Sequence, residues 1–478
     1  MMALISLIVI LWQSMANFAS LMGRIKTPTF LVWLQCIAFV VLYSVWILPE
    51  LVGIRNTALV LGAVIGLYVI YQNRSLLLKQ RALPIWFILC LFVWATIHLF
   101  FIGQDFAAQL KEYVRIWRYA GIGFIFALGL GLSLIKSQNP KQWYLIYVGL
   151  CIPAAIYLVK YVLTTYGEGL GLSVPASLQI YQSNAPFYIP KSDYIPFCLP
   201  ALAIALGEIK HILHSRQEGA LNAFLKMAGF LLVIMATLFL FYAQTMKNGF
   251  LYALMLAIVF VGFILFEHSH KSLKQRLLLA GAGLLIAAAV MYMHIQQNAP
   301  WKSLIADAKI AVQLDQYDHW KYNERKGLPT NELGKQVFGT NYQRIAWGIV
   351  GTKLSFENPL GYGLIEDSFS RLAKQKWPDS VDLSHTHSGW LDLALAFGLP
   401  GLGLILIAIL VLMKLSTNVV YPWGDFVFWS LLSILFLWST TEAAQTVTFS
   451  ALIFWIGLCS GVTQYTSDNS DSLVSGSA

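Results

Sequence analysis

Residues 226–243 read KMAGFLLVIMATLFLFYA, residues 244–248 read QTMKN, and residues 249–266 read GFLYALMLAIVFVGFILF. Two apolar runs of eighteen residues are thus joined by five. As helices each extends ~27 Å at 1.5 Å per residue, close to the ~30 Å hydrocarbon core of a bilayer. In lipid every backbone N–H and C=O must be satisfied within the segment or in a closed barrel. Runs without polar alternation exclude the barrel, so this stretch predicts two antiparallel membrane helices with a tight turn between them.

The same pattern extends in both directions. Spans are expected at 30–50, 56–73, 84–102, 118–135, 142–163, 193–209, 226–243, 249–266, 276–295, 389–413, 424–441 and 446–465. The whole chain of 478 residues is 58% hydrophobic and only 12% charged, where a soluble chain carries about a quarter charged residues. The expected fold is all-α, an integral membrane protein of about twelve transmembrane helices.

The net charge of +9 sits in short loops between apolar runs, which speaks for membrane orientation and against a nucleic-acid-binding stripe. With the N-terminus inside, the inner loops hold Arg24 and Lys26, then Arg74, Lys79 and Arg81, then Lys136 and Lys141. Further along they hold Lys210, Arg216 and Lys226, then Lys271, Lys274 and Arg276, and finally Lys414. The cluster Lys111, Arg115 and Arg118 runs against this rule. Both termini are expected in the cytoplasm.

Two segments interrupt the rhythm. Thr164–Ser192 is an outer stretch rich in Gly, Ser, Asn and Tyr. Gln296–Ser388, between the ninth and tenth spans, is polar, with eleven basic and ten acidic residues. A structureless loop of that length is unusual, so a folded periplasmic cap is expected, with helical pieces near 301–316, 340–356 and 365–375. The chain therefore divides into 1–295 (an N-terminal segment and nine spans), 296–388 (the cap), 389–466 (three spans) and 467–478 (a disordered cytoplasmic tail). Leu4–Trp12 has no charged residue before it, so an interfacial first helix is expected rather than a cleaved leader. The five cysteines lie far apart in apolar segments and read as buried, inert thiols.

Three short stretches can carry chemistry. The first, Ser384-His385-Thr386-His387-Ser388-Gly389-Trp390-Leu391-Asp392, lies where the cap enters the tenth span and leads to Phe397-Gly398-Leu399-Pro400-Gly401. A histidine at that boundary exchanges protons with water yet faces a lipid-borne substrate, and its ordinary pKa suits general-base work. An isolated histidine at a helix start is, however, more often a polar cap than a catalyst. His385 and His387 have the spacing of a metal pair on a strand, but no third ligand stands nearby. The glycines that follow let the helix bend or pack closely. In the second stretch, Tyr342-Gln343-Arg344-Ile345-Ala346-Trp347, Arg344 falls on a predicted cap helix, where an ordinary ion pair is the plain reading. It is followed by Asn358-Pro359-Leu360-Gly361-Tyr362-Gly363. In the third, Lys247 occupies the tight turn before Gly249, either snorkelling to the interface or presenting a fixed cation. One histidine and two cations on one membrane face suit a lipid pyrophosphate. No Asp-rich motif points to Mg²⁺, and no cofactor is expected.

At these residues the chain resembles the lipopolysaccharide O-antigen ligase family, within the larger ligase/polymerase superfamily. The family signature is His, then Asn, Ser or Gln, then nine residues, then Gly-x-x-Gly/Thr/Tyr. Here it reads His387-Ser388, residues 389–397, then Gly398-Leu399-Pro400-Gly401. Arg344 to Gly363 is similar to the family's arginine helix followed by Asn-Pro-x-Gly-x-Gly. The resemblance implies a metal-independent glycosyltransferase of the bacterial inner membrane, active at the periplasmic face. It would move a preassembled glycan from undecaprenyl pyrophosphate to lipid A–core. It implies His387 as general base, Arg344 and Lys247 holding the pyrophosphate, and supporting places for His385 and Ser388 at the substrate. Where the family has Ser-Arg-Gly, this chain has Met246-Lys247-Asn248-Gly249; lysine keeps the charge but loses the bidentate fork. A polymerase or a protein O-oligosaccharyltransferase of the same superfamily shares the donor motifs. A transporter or flippase would call for ionisable residues in mid-span and paired broken helices. The spans hold few such charges and no half-repeat.

Overall fold

The computed structural model describes residues 28–465 except 138, 181–182, 215–218, 268–271 and 441–444. The expected interfacial first helix and the tail lie outside these residues, as do Arg24, Lys26, Arg216 and Lys271. Among the described residues the only β pairing is an isolated bridge, Thr330 to Gln336.

Among the described residues eleven helices are long and apolar enough to cross a membrane. In chain order they are α1 (Thr29–Trp46), α2 (Val52–Gln72), α3 (Gln80–Ile102), α4 (Phe106–Ser137), α5 (Pro140–Tyr166), α6 (Lys191–His214), α7 (Ala220–Ala243), α8 (Lys247–Phe266) and α9 (Leu273–Gln297). After the short cap helices α10 (Ala299–Lys302), α11 (Leu304–Ala311), α12 (Gly339–Glu357) and α13 (Ser368–Lys376) come α14 (Gly389–Ser416) and α15 (Trp423–Thr440). A twelfth apolar helix, α16 (Thr446–Val462), has 17 residues and is buried almost throughout. The protein is an all-α, multi-pass membrane protein.

The buried helices approach closely where glycines meet. A methyl on Gly66 of α2 would sit 2.5 Å from the Ile125 carbonyl oxygen of α4, and Gly131 of α4 lies backbone to backbone against Gly461 of α16. Without a hydrophobic drive between helices in lipid, such dispersion contacts hold the bundle.

Two expectations need correction. The fourth span was expected to begin at residue 118, but α4 begins at Phe106. Its first turns are amphipathic rather than apolar: Glu112 accepts the Ile365 and Glu366 amides of the cap (2.6 and 3.1 Å), and Arg115 pairs with Glu366. The cap's carboxylates account for a basic residue on the face where the charge rule expects few. The cysteines are also not uniformly buried, since Cys90 is exposed on the bundle's outer surface.

α14 is broken. Gly398 has φ 68°, ψ −176°, a conformation that is essentially glycine's alone. The loop 358–363 of the cap crosses the break. Tyr362 N donates to Leu395 O (2.7 Å), Gly363 N to Ala396 O (2.7 Å) and Leu399 N to Pro359 O (2.8 Å). A side chain on Gly398 would overlap the Pro359 carbonyl and lie 2.5 Å from the Leu360 carbonyl carbon. The glycines of both sequence motifs thus form one latch between cap and membrane helix. The cap has its own core, in which Trp320, Tyr342, Trp347, Val350, Phe369 and Leu372 are buried.

Candidate active site

The site begins at the entrance of α14. Ser388 is the N-cap: its hydroxyl accepts from Leu391 N (3.5 Å) and donates to Trp438 O (3.4 Å). One turn into the helix, the buried Asp392 carboxylate reaches back to accept Thr386 N (2.9 Å) and Thr386 Oγ1 (2.8 Å). Between them His387 is forced to φ 60°, a left-handed conformation that costs ~1–2 kcal/mol for a side chain with a Cβ. Hydrogen bonds to a charged group stabilise by about 1.5–3 kcal/mol each, enough for the pair on Asp392 to hold the turn.

That turn lays the His387 ring parallel to Trp347 of α12, centroids 5.6 Å apart at 12°. Its Nδ1 lies 3.2 Å from His385 Nε2. Burial, then the neighbouring His385 and Arg344, push the His387 pKa down to about 3. Burial and Arg344 lower that of His385 as well. Both rings are therefore neutral at neutral pH.

The cations arrive from two other elements. Lys247, the first residue of α8, donates to Asn341 Oδ1 (2.5 Å). Asn341 Nδ2 in turn donates to Pro300 O and Asp307 Oδ2 (both 2.8 Å). Asp307 is fully buried and also accepts from Ser303, Asn331 and the Phe338 amide. Arg344 stands three residues after Asn341, hence on the same face of α12.

Lys247, Arg344, His387 and Ser388 line one cavity of about 470 Å³, with Trp301 and Thr440 among its other walls. His385 sits behind His387 and is not part of the wall. Ser388 reaches the wall, but its hydroxyl is engaged in capping. Among the described residues lining the cavity there is no carboxylate. A space with two cations, polar amides and a neutral imidazole suits an anionic group held beside a hydroxyl that must lose a proton.

Sequence reasoning passed over Asn341, Asp307, Trp347 and Asp392. Asn341 was findable, since it lies one turn before Arg344. The Asp307 hub and the Trp347 stack arise from contacts distant along the chain and leave no local pattern.

Residues 225–406 match a family model described as O-Antigen ligase. That stretch covers most of α7, all of α8 and α9, the cap and the first part of α14, and so holds Lys247, Arg344, His385, His387 and Ser388. A comparison with curated proteins finds none that matches this chain.

Proposed function

We propose that the chain, whose residues 225–406 match the O-antigen ligase family model, is a glycosyltransferase of that family and the ligase itself. It transfers a preassembled glycan from undecaprenyl pyrophosphate to lipid A–core at the periplasmic face of the inner membrane. The observation that carries the reading is the cavity shared by Lys247, Arg344 and His387.

In this mechanism the acceptor hydroxyl oxygen attacks the anomeric carbon of the donor glycan. The bond from that carbon to the phosphate oxygen breaks, and undecaprenyl pyrophosphate leaves with the electron pair. Arg344 and Lys247 face the pyrophosphate and stabilise the charge that grows on the leaving oxygen. Arg344 offers a planar fork to two phosphate oxygens, and Lys247 a point charge. The proton of the attacking hydroxyl goes to His387 Nε2. This requires His387 Nδ1 to carry its proton and donate to His385 Nε2, which makes His385 the residue that sets the tautomer.

The low pKa of His387 leaves it ready to accept a proton but weakly basic. An anion bound between the two cations cancels part of their field and favours the imidazolium. The donor thereby strengthens the base that its own reaction needs.

Deleting the protein from its host tests the reading. Loss of long-chain lipopolysaccharide, with lipid-linked glycan accumulating, supports the ligase. A band limited to one repeat unit would mean a polymerase. Normal lipopolysaccharide with unglycosylated secreted proteins would mean a protein-directed enzyme.

A further inference from the structure

A second polar cavity lies on the cap-bearing face, built wholly from residues outside 225–406. About 330 Å³ in volume, it is lined by Arg55 of α2, Arg115 and Tyr119 of α4, Thr446 and Ser450 of α16, and Trp46 of α1. Arg55 is held by its Nη1 bond to Trp46 O (3.2 Å). Arg115 is held from behind by Glu366 of the cap, whose carboxylate also accepts Thr446 N (3.1 Å) and Oγ1 (2.8 Å). Among its described lining residues there is no carboxylate. A neighbouring space of about 490 Å³ shares Trp46, Arg55 and Val447 with it, and adds Ser183, Asn184, Tyr188 and Gln445 together with the carboxyl groups of Glu50 and Asp193, so the anion-binding part is the space between Arg55 and Arg115.

Two guanidinium groups recognise a phosphate or carboxylate. The hydroxyls, amides and aromatic faces around them suit a sugar. Each of the two spaces falls in the size range of small-molecule sites, about 300–1,000 Å³.

A short stretch of chain links a wall of the first cavity to this region. Thr440 lines the first and Gln445 the neighbour of the second. Five residues of fully extended chain reach at most about 18 Å.

We propose that this cavity seats the acceptor, with a phosphate- or carboxylate-bearing sugar held between Arg55 and Arg115 while another sugar of the same molecule reaches His387. This rests on the transfer reaction given above. It separates the two substrates' anionic grips: Lys247 and Arg344 take the donor, Arg55 and Arg115 the acceptor.

The test is steady-state transfer by the full chain in nanodiscs. The acceptor is a lipid A–core glycolipid, used intact and after its phosphates and carboxylates are removed in turn. Arg55→Gln is expected to raise the acceptor KM roughly tenfold, the size of one charge-assisted hydrogen bond, with the donor KM within about twofold of wild type. Wild type is expected to lose the same factor when the acceptor's anionic group is removed, and Arg55→Gln to be indifferent to that removal. Arg55→Lys, which keeps the charge, recovers part of the loss. An unchanged acceptor KM, or a donor KM that rises instead, overturns the proposal. So does phosphatidylglycerol competing as strongly as the glycolipid, which would make this a phospholipid headgroup site. If wild type transfers nothing to any acceptor, the transfer reading fails. Direct binding of the intact glycolipid to His387→Gln, with and without Arg55→Gln, still decides the cavity: a roughly tenfold weakening supports it, and equal binding overturns it.

Discussion

Replacing Thr386 by valine tests whether the strained turn that presents His387 matters to the reaction. Valine preserves shape, including the methyl that packs against Gly351 of α12, and removes only the hydroxyl. That hydroxyl donates to Asp392 Oδ1 (2.8 Å) and accepts Ser388 N (3.2 Å). The first bond is charge-assisted and contributes about 1.5–3 kcal/mol; the second contributes about 1 kcal/mol. What remains is the Thr386 backbone N–H on the same carboxylate (2.9 Å), again about 1.5–3 kcal/mol. Against it stands the ~1–2 kcal/mol cost of the left-handed His387 backbone. The turn passes from clearly favoured to nearly balanced, and the imidazole then samples orientations away from Trp347. Misplacement of a reacting group by about 1 Å costs up to ~100-fold in rate, so kcat is expected to fall ten- to a hundredfold. The donor KM should stay near wild type, because Lys247 and Arg344 are untouched. Thr386→Ser, which keeps the hydroxyl, should retain most activity. The reasoning is refuted by a Thr386→Val protein with wild-type kcat and wild-type thermal stability.

Gly398→Ala should destabilise the protein by several kcal/mol. It adds ~1–3 kcal/mol of backbone strain and pushes the 358–363 loop off the break in α14, where three hydrogen bonds of about 1 kcal/mol each are made; a fluorescence-monitored melt in detergent with an unshifted Tm would contradict the latch. Lys247→Arg should keep transfer and Lys247→Ala should lose it by at least roughly tenfold, read as donor KM; an Ala variant with an unchanged donor KM removes this lysine from the site. Unfolded His387 takes up a proton near pH 6.5 and folded His387 only near pH 3. The unfolded state thus holds more protons between those values, and stability falls as pH is lowered through that window, by up to ~1.4 kcal/mol per pH unit. The Tm of His387→Gln should accordingly depend less on pH between about 6.5 and 4 than that of wild type, and parallel curves would argue that the ring is not held neutral.

The membrane helices were legible because burial in lipid needs an unbroken apolar run of a set length, as 226–243 and 249–266 show. α4 escaped because its first turns face the cap rather than lipid. Gln109, Glu112 and Arg115 serve contacts with Tyr362, Ile365 and Glu366, more than 200 positions away. The glycines after His387 announced a bend or a close approach, and Gly398 provides both at once. Which loop filled the break was invisible, because Tyr362 and Gly363 donate to α14 from a separate stretch of chain. Three residues of the candidate site were readable from their chemistry, one histidine at a helix entrance and two cations on neighbouring elements, and they line one cavity. Their supports were not, since the Asp307–Asn341–Lys247 chain and the Asp392–Thr386 clasp exist only in three dimensions.

The most direct measurement is in vitro transfer by purified His387→Gln beside a titration of the lipid-linked donor. A proton acceptor at the wall of the cationic cavity predicts that transfer disappears while donor affinity stays within about twofold. Sustained transfer by this variant would contradict the assignment of the proton to His387.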